Sequence, residues 1–216
     1  MKARVLAVAI VAGVVFTAAG VYARPTPNAR PSVRYASAAC GSERWTVKTL
    51  TDAAAAKLDL NKVKTTTVEG LRHLKVPENL TATSARRAGA EKTVYTVQGL
   101  LMSMKREDDS DIHLVIADPK LGGSMIVEIP SDACDGAAPP AARAMMTQAR
   151  ASLAAACGGE PGASAVTLTG NATITGVGFF DLIHGQAGVA PNGIELHPVL
   201  SFASANCQRI AVKHRG

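Results

Sequence analysis

The sequence predicts a mainly β protein (α+β) built around a five-stranded barrel, and three observations support this prediction. Apolar residues recur with a period of two from Thr93 onward, which is typical of half-buried strands. The clearest helical stretch, residues 139–156, falls between the third and fourth predicted strands. The first strand contains Gly99, where a coiled strand can bend or carry a bulge. This element order is that of the OB-like barrel, with a twisted open α+β sheet as the main alternative.

Five segments carry the strand pattern. They are residues 94–104, 112–117, 125–129, 166–180 and 194–202. Between residues 166 and 175 apolar and polar side chains alternate strictly, and the strand continues past two glycines to Phe179 and Phe180. The predicted helix begins with proline and is followed by Gly158 and Gly159, which are start and stop signals.

The first 23 residues have the pattern of a signal peptide. Lys2 and Arg4 precede an apolar run, and the segment closes on small residues at the −3 and −1 positions of a signal-peptidase site after Ala23. The alternative is an uncleaved membrane anchor, although glycines and alanines weaken the run. We therefore expect an exported chain, periplasmic or secreted, with no membrane segment after cleavage.

A basic arm precedes the barrel. Residues 24–39 are predicted to be a disordered linker, and residues 40–92 a basic helical arm with short helices at 52–58 and 68–74. Thr66 and Glu69 have the spacing of a capping box, and Trp45 and Leu50 are the expected anchors on the barrel. Residues 24–92 carry 13 Lys/Arg against 6 Asp/Glu. The basic residues are mostly scattered singly, which favours a solvated, partly flexible segment over a surface that binds nucleic acid, acidic polysaccharide or an anionic membrane. The barrel is assigned to residues 93–204 and a tail to 205–216.

The four cysteines predict two disulfides, because an exported chain folds in an oxidising environment. Their spacing contains no Cys-x-x-Cys pair of the kind found in zinc sites. The ends of helix 139–156 are roughly 25 Å apart, and the short link from Cys134 to Pro139 can hardly recross that length, which disfavours a bond between Cys134 and Cys157. The predicted pairs are Cys40–Cys134 and Cys157–Cys207.

A candidate metal site lies near the last strand. Glu195 and His197 are two residues apart on one strand and therefore share a face, and Asp181 and His184 lie in the preceding loop. Such a His/His/carboxylate set could bind a divalent metal ion. The leading expectation, however, is that the chain has no cofactor. The alternative is structural: His184 and His197 order the glycine-rich loop 181–193.

A second candidate site is the outer face of strands two and three, where OB folds bind ligands. His113 and Glu128 are expected to point outward there, and Gln186 lies in the flanking loop. The face lacks the aromatic and cationic side chains that single-stranded nucleic acid requires, which disfavours nucleic acid. An oligosaccharide, a peptide or a protein partner remains as the expected ligand.

Four motifs resemble a group of exported bacterial proteins without an assigned activity. They are Cys-Gly-x-Glu-Arg-Trp from Cys40, Asp-Ile-His-Leu-Val from Asp111, Gly-Phe-Phe-Asp-Leu-Ile-His-Gly-Gln from Gly178, and Glu-Leu-His-Pro-Val from Glu195. The likeness covers most of residues 40–202 and implies no function.

A fainter resemblance is to thermonuclease-type OB domains. The acidic residues of that family have approximate counterparts here in Asp109-Ser-Asp111 and Glu128-Ile-Pro130. The third strand of that family also carries an arginine, whereas the third strand here has Met125 and no arginine. We identify no catalytic residue, because the chain offers no Gly-x-Ser-x-Gly elbow, phosphate loop or free thiolate. The leading hypothesis is a non-catalytic binding or structural module, and the alternative is a metal-dependent hydrolase or divergent nuclease using Asp181, His184, Glu195 and His197.

Overall fold

The computed structural model describes residues 40–210, which form three α-helices, two 3-10 turns and eight strands. The helices are α1 (Trp45–Lys48), α2 (Val68–Arg72) and α3 (Pro140–Ala156), and the 3-10 turns span Ala55–Lys57 and Gly89–Lys92. The strands are β1 (Val63–Thr65), β2 (Val94–Arg106), β3 (Ile112–Ala117), β4 (Ser124–Ile129), β5 (Val166–Thr169), β6 (Asn171–Phe180), β7 (Ile194–Ala203) and β8 (Gln208–Arg209).

Five strands close into a barrel. Strand β2 pairs antiparallel with both β3 and β6, β3 pairs antiparallel with β4, β4 runs parallel to β7, and β7 pairs antiparallel with β6. Helix α3 connects the third barrel strand, β4, to the β5–β6 region. This closure confirms the predicted five-stranded OB-like barrel and excludes the open sheet.

Strand β2 closes the barrel because its two halves pair with different neighbours. Residues 94–100 pair with β6 and residues 100–106 pair with β3. A bulge or a bend was expected at Gly99, and the register irregularity of β2 lies slightly further along, between Leu101 and Ser103. Gly99 serves a different purpose, since a Cβ there would lie 2.9 Å from Cδ1 of Ile116. Its missing side chain lets the Ile116 side chain of β3 pack closely against the backbone of β2.

The predicted fourth strand is divided into β5 and β6 at Gly170. This residue has a φ of 104°, and a Cβ on it would lie 2.2 Å from the carbonyl oxygen of Asn206. After the break β5 stays paired with β2 and pairs along its other edge with β8, which lies in the segment that the sequence assigned to a tail. Arg209 of β8 also donates a hydrogen bond of 2.7 Å to the carbonyl oxygen of Cys157.

The strands separate a hydrophobic interior from an outer face that carries the polar residues of interest. The interior includes Ile112, Leu114, Ile116, Met125, Val127, Ile129, Ile194 and Leu196, together with Leu153 of α3. A smaller cluster outside the barrel joins Leu50 of the arm to Val94, Val177 and Met146. The alternation of strand side chains therefore places His113 and Glu128, between these core residues, on the outer face.

The arm differs from its prediction in its helices. Trp45–Lys48 forms a helical turn that the sequence did not indicate, and the predicted helix at 52–58 is only a 3-10 turn. The cap of α2 is Thr67, whose side chain accepts a hydrogen bond from the backbone N–H of Gly70, rather than the expected Thr66–Glu69 box. Leu50 is buried as expected, whereas Trp45 is only partly covered and borders a cleft.

Both predicted disulfides are present. Cys40 pairs with Cys134 and Cys157 pairs with Cys207. The first bond ties the start of the arm to the segment after β4, and the second ties the end of α3 to the segment before β8. Two disulfides indicate an oxidising environment outside the cytoplasm. The predicted signal peptide and linker lie outside the described residues. Among residues 40–210, no helix has the length and apolar character needed to cross a membrane.

Candidate functional site

Strands β3, β4, β6 and β7 bring a set of polar and aromatic side chains onto one outer face of the barrel. His113 of β3 lies directly opposite Glu128 of β4. Glu195 of β7 pairs with Phe179 of β6 on one side and with Ile126 of β4 on the other. His197 follows two residues after Glu195 and therefore shares its face. Its ring meets the Phe179 ring edge-on at 5.6 Å.

A cleft of about 450 Å³ opens on this face. Its walls are the start of the arm, the hairpin between β2 and β3, and the loop between β6 and β7. Its lining includes six carboxylates, from Glu43, Glu107, Asp108, Asp109, Glu128 and Asp181, together with Lys48, Lys105, His113, His184, Gln186 and Trp45. The cleft is therefore strongly polar, with an excess of acidic groups.

His113, rather than His184 or His197, is the imidazole that holds the loop after β6. Its Nε2 lies 3.0 Å from the carbonyl oxygen of Ala187. Within residues 40–210 neither His184 nor His197 makes a side-chain hydrogen bond to the backbone of that loop, so the predicted ordering mechanism is wrong. Gln186 orders the loop locally, because its side chain accepts from the N–H of His184 and donates to the carbonyl oxygen of Leu182.

Two further contacts seat the same loop. Gly188 packs against Val115, since a Cβ at this position would lie 2.3 Å from Cγ1 of Val115. Asn192 donates hydrogen bonds of 3.0 Å to the carbonyl oxygens of Leu71 and Leu74 in the arm. The loop is thus held by the barrel at one end and by the arm at the other.

Glu128 occupies the centre of the polar group, between two histidines. Its Oε1 lies 2.9 Å from Nδ1 of His113, and its Oε2 lies 3.1 Å from Nδ1 of His197. Oε1 of Glu107 lies 3.3 Å from the same nitrogen of His113. Lys105 contacts Glu107 from the other side, at 2.9 Å. Glu128 therefore links two groups. The outer group, Glu107 and His113, borders the cleft, and the inner group, Asp111, Glu195 and His197, lies beneath it.

The inner group surrounds His197, whose side chain is completely buried. Its Nε2 lies 3.4 Å from Oδ2 of Asp111, and its Nδ1 lies 3.8 Å from Oε2 of Glu195. Neither ring nitrogen has a hydrogen-bond partner in the described chain, and the same holds for Oδ2 of Asp111 and Oε2 of Glu195. Buried polar atoms are nearly always satisfied in native proteins, so this group is typical of a functional or ion-binding site.

The arm closes the group from above. Nζ of Lys48 lies 3.3 Å from Oδ2 of Asp181 and 5.4 Å from the centre of the Phe179 ring. The guanidinium of Arg44 stacks on the same ring at 4.7 Å. The α1 turn and its N-cap residue thus place two cations against the Phe179 ring, and of these Lys48 pairs with an acidic residue of the cleft, Asp181.

The neighbours of the two histidines determine the charges in the group. Burial alone would lower the pKa of His113, but the Glu128 carboxylate outweighs burial and raises it. Burial likewise opposes the charged form of His197, and the Asp111, Glu128 and Glu195 carboxylates raise its pKa well above the ordinary value. Burial would raise the pKa of Glu128, whereas its two histidine neighbours lower it.

Two other carboxyl groups have a raised pKa, in contrast to Glu128. Burial, with the charges of Glu128 and Asp181, raises the pKa of Glu195 to about 7. Burial and the charge of Asp111 raise the pKa of Asp109 to about 6. Glu195 and Asp109 therefore bind a proton more readily than Glu128, which is held in its charged form.

The four residues predicted as metal ligands do not form one group in the described chain. Asp181 pairs with Lys48, and His184 is exposed at the cleft, whereas Glu195 and His197 lie together in the inner group. Two other sets have ligand atoms close enough to share an ion: Glu107, His113 and Glu128, and Asp111, Glu128 and His197. The sequence did not indicate Glu107 or Lys48 as site residues. The sequence signal that could have identified Glu107 is its spacing from His113 across the predicted hairpin.

Comparison with protein-family models, with curated proteins and with solved structures finds no match for this chain. The fold and the geometry of the site are therefore the basis for a functional proposal.

Proposed function

We propose that this chain is an exported OB-like binding module whose cleft takes a positively charged ligand. The observation that carries the proposal is the cleft lining, in which six carboxylates face two lysines on the surface that OB folds use for ligands. An excess of one sign of charge in a concave site concentrates ligands of the opposite sign. The apolar leader at residues 1–23 and the two disulfides support export to the periplasm or the exterior.

The cleft is built in advance of binding. Its loop wall is held by His113, Gly188 and Asn192, and its arm wall is covalently tied through Cys40. A site held in this way loses little conformational entropy when a ligand enters, which favours affinity. We expect the ligand to be an organic cation such as the lysine side chains of a peptide, with Trp45 at the rim available for a cation–π contact.

The arrangement favours binding over catalysis. Glu195, whose pKa of about 7 would suit a general acid or base, lies beneath the cleft rather than on its surface. A nucleic acid would place its phosphates against the carboxylates of the lining, which argues against such a ligand. The alternative of a metal-dependent hydrolase or divergent nuclease draws support from Glu128, which belongs to both groups of potential ligands.

The only tryptophan of the chain provides a direct test, because Trp45 borders the cleft. Trilysine should change its fluorescence saturably, whereas triaspartate and tri-N-acetylchitotriose should not. Asp108→Asn should weaken trilysine binding by about two- to fivefold, as expected for one exposed charge. Glu78→Gln, at an exposed site away from the cleft, is the matched control. A saturable response to the neutral or the acidic probe alone would overturn the proposal.

A further inference from the structure

The tautomer of His113 shows that a positive charge is required at its Nδ1. The carbonyl oxygen of Ala187 can only accept a hydrogen bond, so Nε2 of His113, 3.0 Å away, carries a hydrogen. In a neutral ring, Nδ1 would then direct its lone pair at two carboxylates, Glu128 at 2.9 Å and Glu107 at 3.3 Å. Such an arrangement is repulsive unless a second proton or a metal ion occupies the space between them.

The same geometry is that of a histidine prepared to bind a metal. Metal-binding histidines commonly donate their second N–H to a backbone carbonyl, which fixes the ring and leaves the other nitrogen for the ion. Bonds of about 2.0–2.2 Å place neighbouring ligand atoms roughly 3–3.5 Å apart, close to the separations observed here. Glu107 is only partly buried and borders the cleft, so an ion can enter and retain a position for a further ligand.

The layer beneath the ligands also favours a cation. Five carboxylates lie in or next to the two groups, from Glu107, Asp111, Glu128, Asp181 and Glu195, and in the described chain the basic side chains that contact them are Lys48, Lys105, His113 and His197. His197 is completely buried, has no hydrogen-bond partner and directs Nδ1 at Glu128 from 3.1 Å. Buried charges need compensation, and a divalent ion beside Glu128 would supply two positive charges at the centre of the group.

We propose that Glu107, His113 and Glu128 bind a divalent transition-metal ion, of the zinc class, at the floor of the cleft. Imidazole and carboxylate are the ligands that such ions accept. The inference rests on the proposed function, since the ion would supply part of the positive charge that the cleft is built to receive. Lys105, which contacts Glu107 at 2.9 Å and is partly exposed, can move aside when the ion binds.

Cobalt(II) provides the test, because its visible absorption reports the ligands around it. The chain, purified without chelator and then stripped of metal, should bind one equivalent of Co²⁺ with d–d bands that Zn²⁺ removes. Glu107→Gln should weaken binding at least tenfold. His113→Gln should weaken it by about 100-fold or more, because losing a ligand costs more than the 10- to 100-fold typical of its neighbours. Glutamine at 113 can still donate to Ala187.

Two matched controls share the cleft but lie outside the ligand set. His184→Ala and Asp108→Asn should change Co²⁺ affinity less than fivefold. Equal losses in these controls would mean nonspecific attraction to the acidic cleft and would overturn the site, as would full Co²⁺ binding by Glu107→Gln. If Co²⁺ does not bind saturably, the positive charge at Nδ1 of His113 is a second proton, and the proposed metal site is wrong. If His113→Gln does not fold, Glu107→Gln decides, because its side chain is partly exposed.

The metal titration is independent of the test for the organic ligand. Trilysine is titrated into metal-free protein with Trp45 fluorescence as the readout, and Co²⁺ is titrated without peptide. Metal binding without a trilysine response would contradict the organic-cation proposal alone. A trilysine response without metal binding would contradict the metal site alone.

Discussion

Arg44 and Glu91 form a bidentate ion pair with both side chains fully buried, at N–O distances of 2.8 and 2.7 Å. Nη1 of Arg44 also donates to the carbonyl oxygen of Phe180, and Glu91 accepts the N–H of the same residue. The pair therefore joins the arm to the end of β6, next to the cleft. It fixes the turn of helix that carries Lys48 and Trp45.

Glu91→Gln should destabilise the protein by about 3–5 kcal/mol, because it leaves the guanidinium of Arg44 buried without its charge partner. Urea unfolding gives the free energy. Glu78→Gln is the control, since the Lys75–Glu78 pair is exposed and should cost less than about 1 kcal/mol. Equal stability of the two variants would show that the buried pair contributes nothing beyond a surface pair.

Removal of Cys40–Cys134 should affect the cleft more than removal of Cys157–Cys207. The bonds close sequence separations of 94 and 50 residues, so the loop-entropy estimate is about 4.7 and about 4.1 kcal/mol respectively. The two double-serine variants should thus lose similar stability in urea. Acrylamide quenching of Trp45 should increase only in the Cys40→Ser/Cys134→Ser variant, because that bond holds the arm wall. Equal quenching in both variants would contradict this assignment.

Gly188→Ala should loosen the loop after β6. Its φ is 82° and its Cβ would overlap Cγ1 of Val115, so the strain of about 1 kcal/mol from a left-handed backbone adds to about 1–3 kcal/mol from overpacking. Gly185→Ala is a matched control, with a φ of 93° and open space around its Cβ. Hydrogen exchange of residues 182–193 should accelerate more in Gly188→Ala. The same rate in both variants would show that the contact with Val115 does not seat the loop.

Asp118 should contribute a stability that depends on acid pH. Burial opposes its charged form, but three backbone N–H groups, of Glu69, Lys120 and Leu121, outweigh burial and lower its pKa. A folded pKa below the unfolded value of about 3.9 means that the contribution is complete above that value and is lost as the pH falls through the folded pKa.

Asp118→Asn should therefore cost about 1 kcal/mol or more in urea unfolding at pH 7 and progressively less below about pH 4. Asp59→Asn, at an exposed carboxylate that accepts one backbone hydrogen bond, is the control. A deficit in Asp118→Asn that stays constant down to pH 2 would show that charge is not involved.

The barrel itself was predictable because its signals are local. Alternation of apolar residues defined the strands, proline and glycine bounded α3, and the length of that helix disfavoured a Cys134–Cys157 bond. The break at Gly170 and the irregularity after Leu101 were not predictable, since both depend on contacts with distant segments. The same applies to β8, whose two residues become a strand only because β5 presents a free edge.

By itself, then, the sequence determined the order of strands and helix, favoured a barrel over an open sheet and disfavoured a Cys134–Cys157 bond, since periodicity and chain reach are properties of short segments. Only the tertiary structure decided that His113 meets Glu107 and Glu128 while His184 stays at the surface. The meeting depends on the register of β3 against β4, and a shift of one residue would turn these side chains into the core. It depends equally on the arm, which brings Lys48 to within 3.3 Å of Asp181 across 133 residues of chain, a contact that no local pattern encodes.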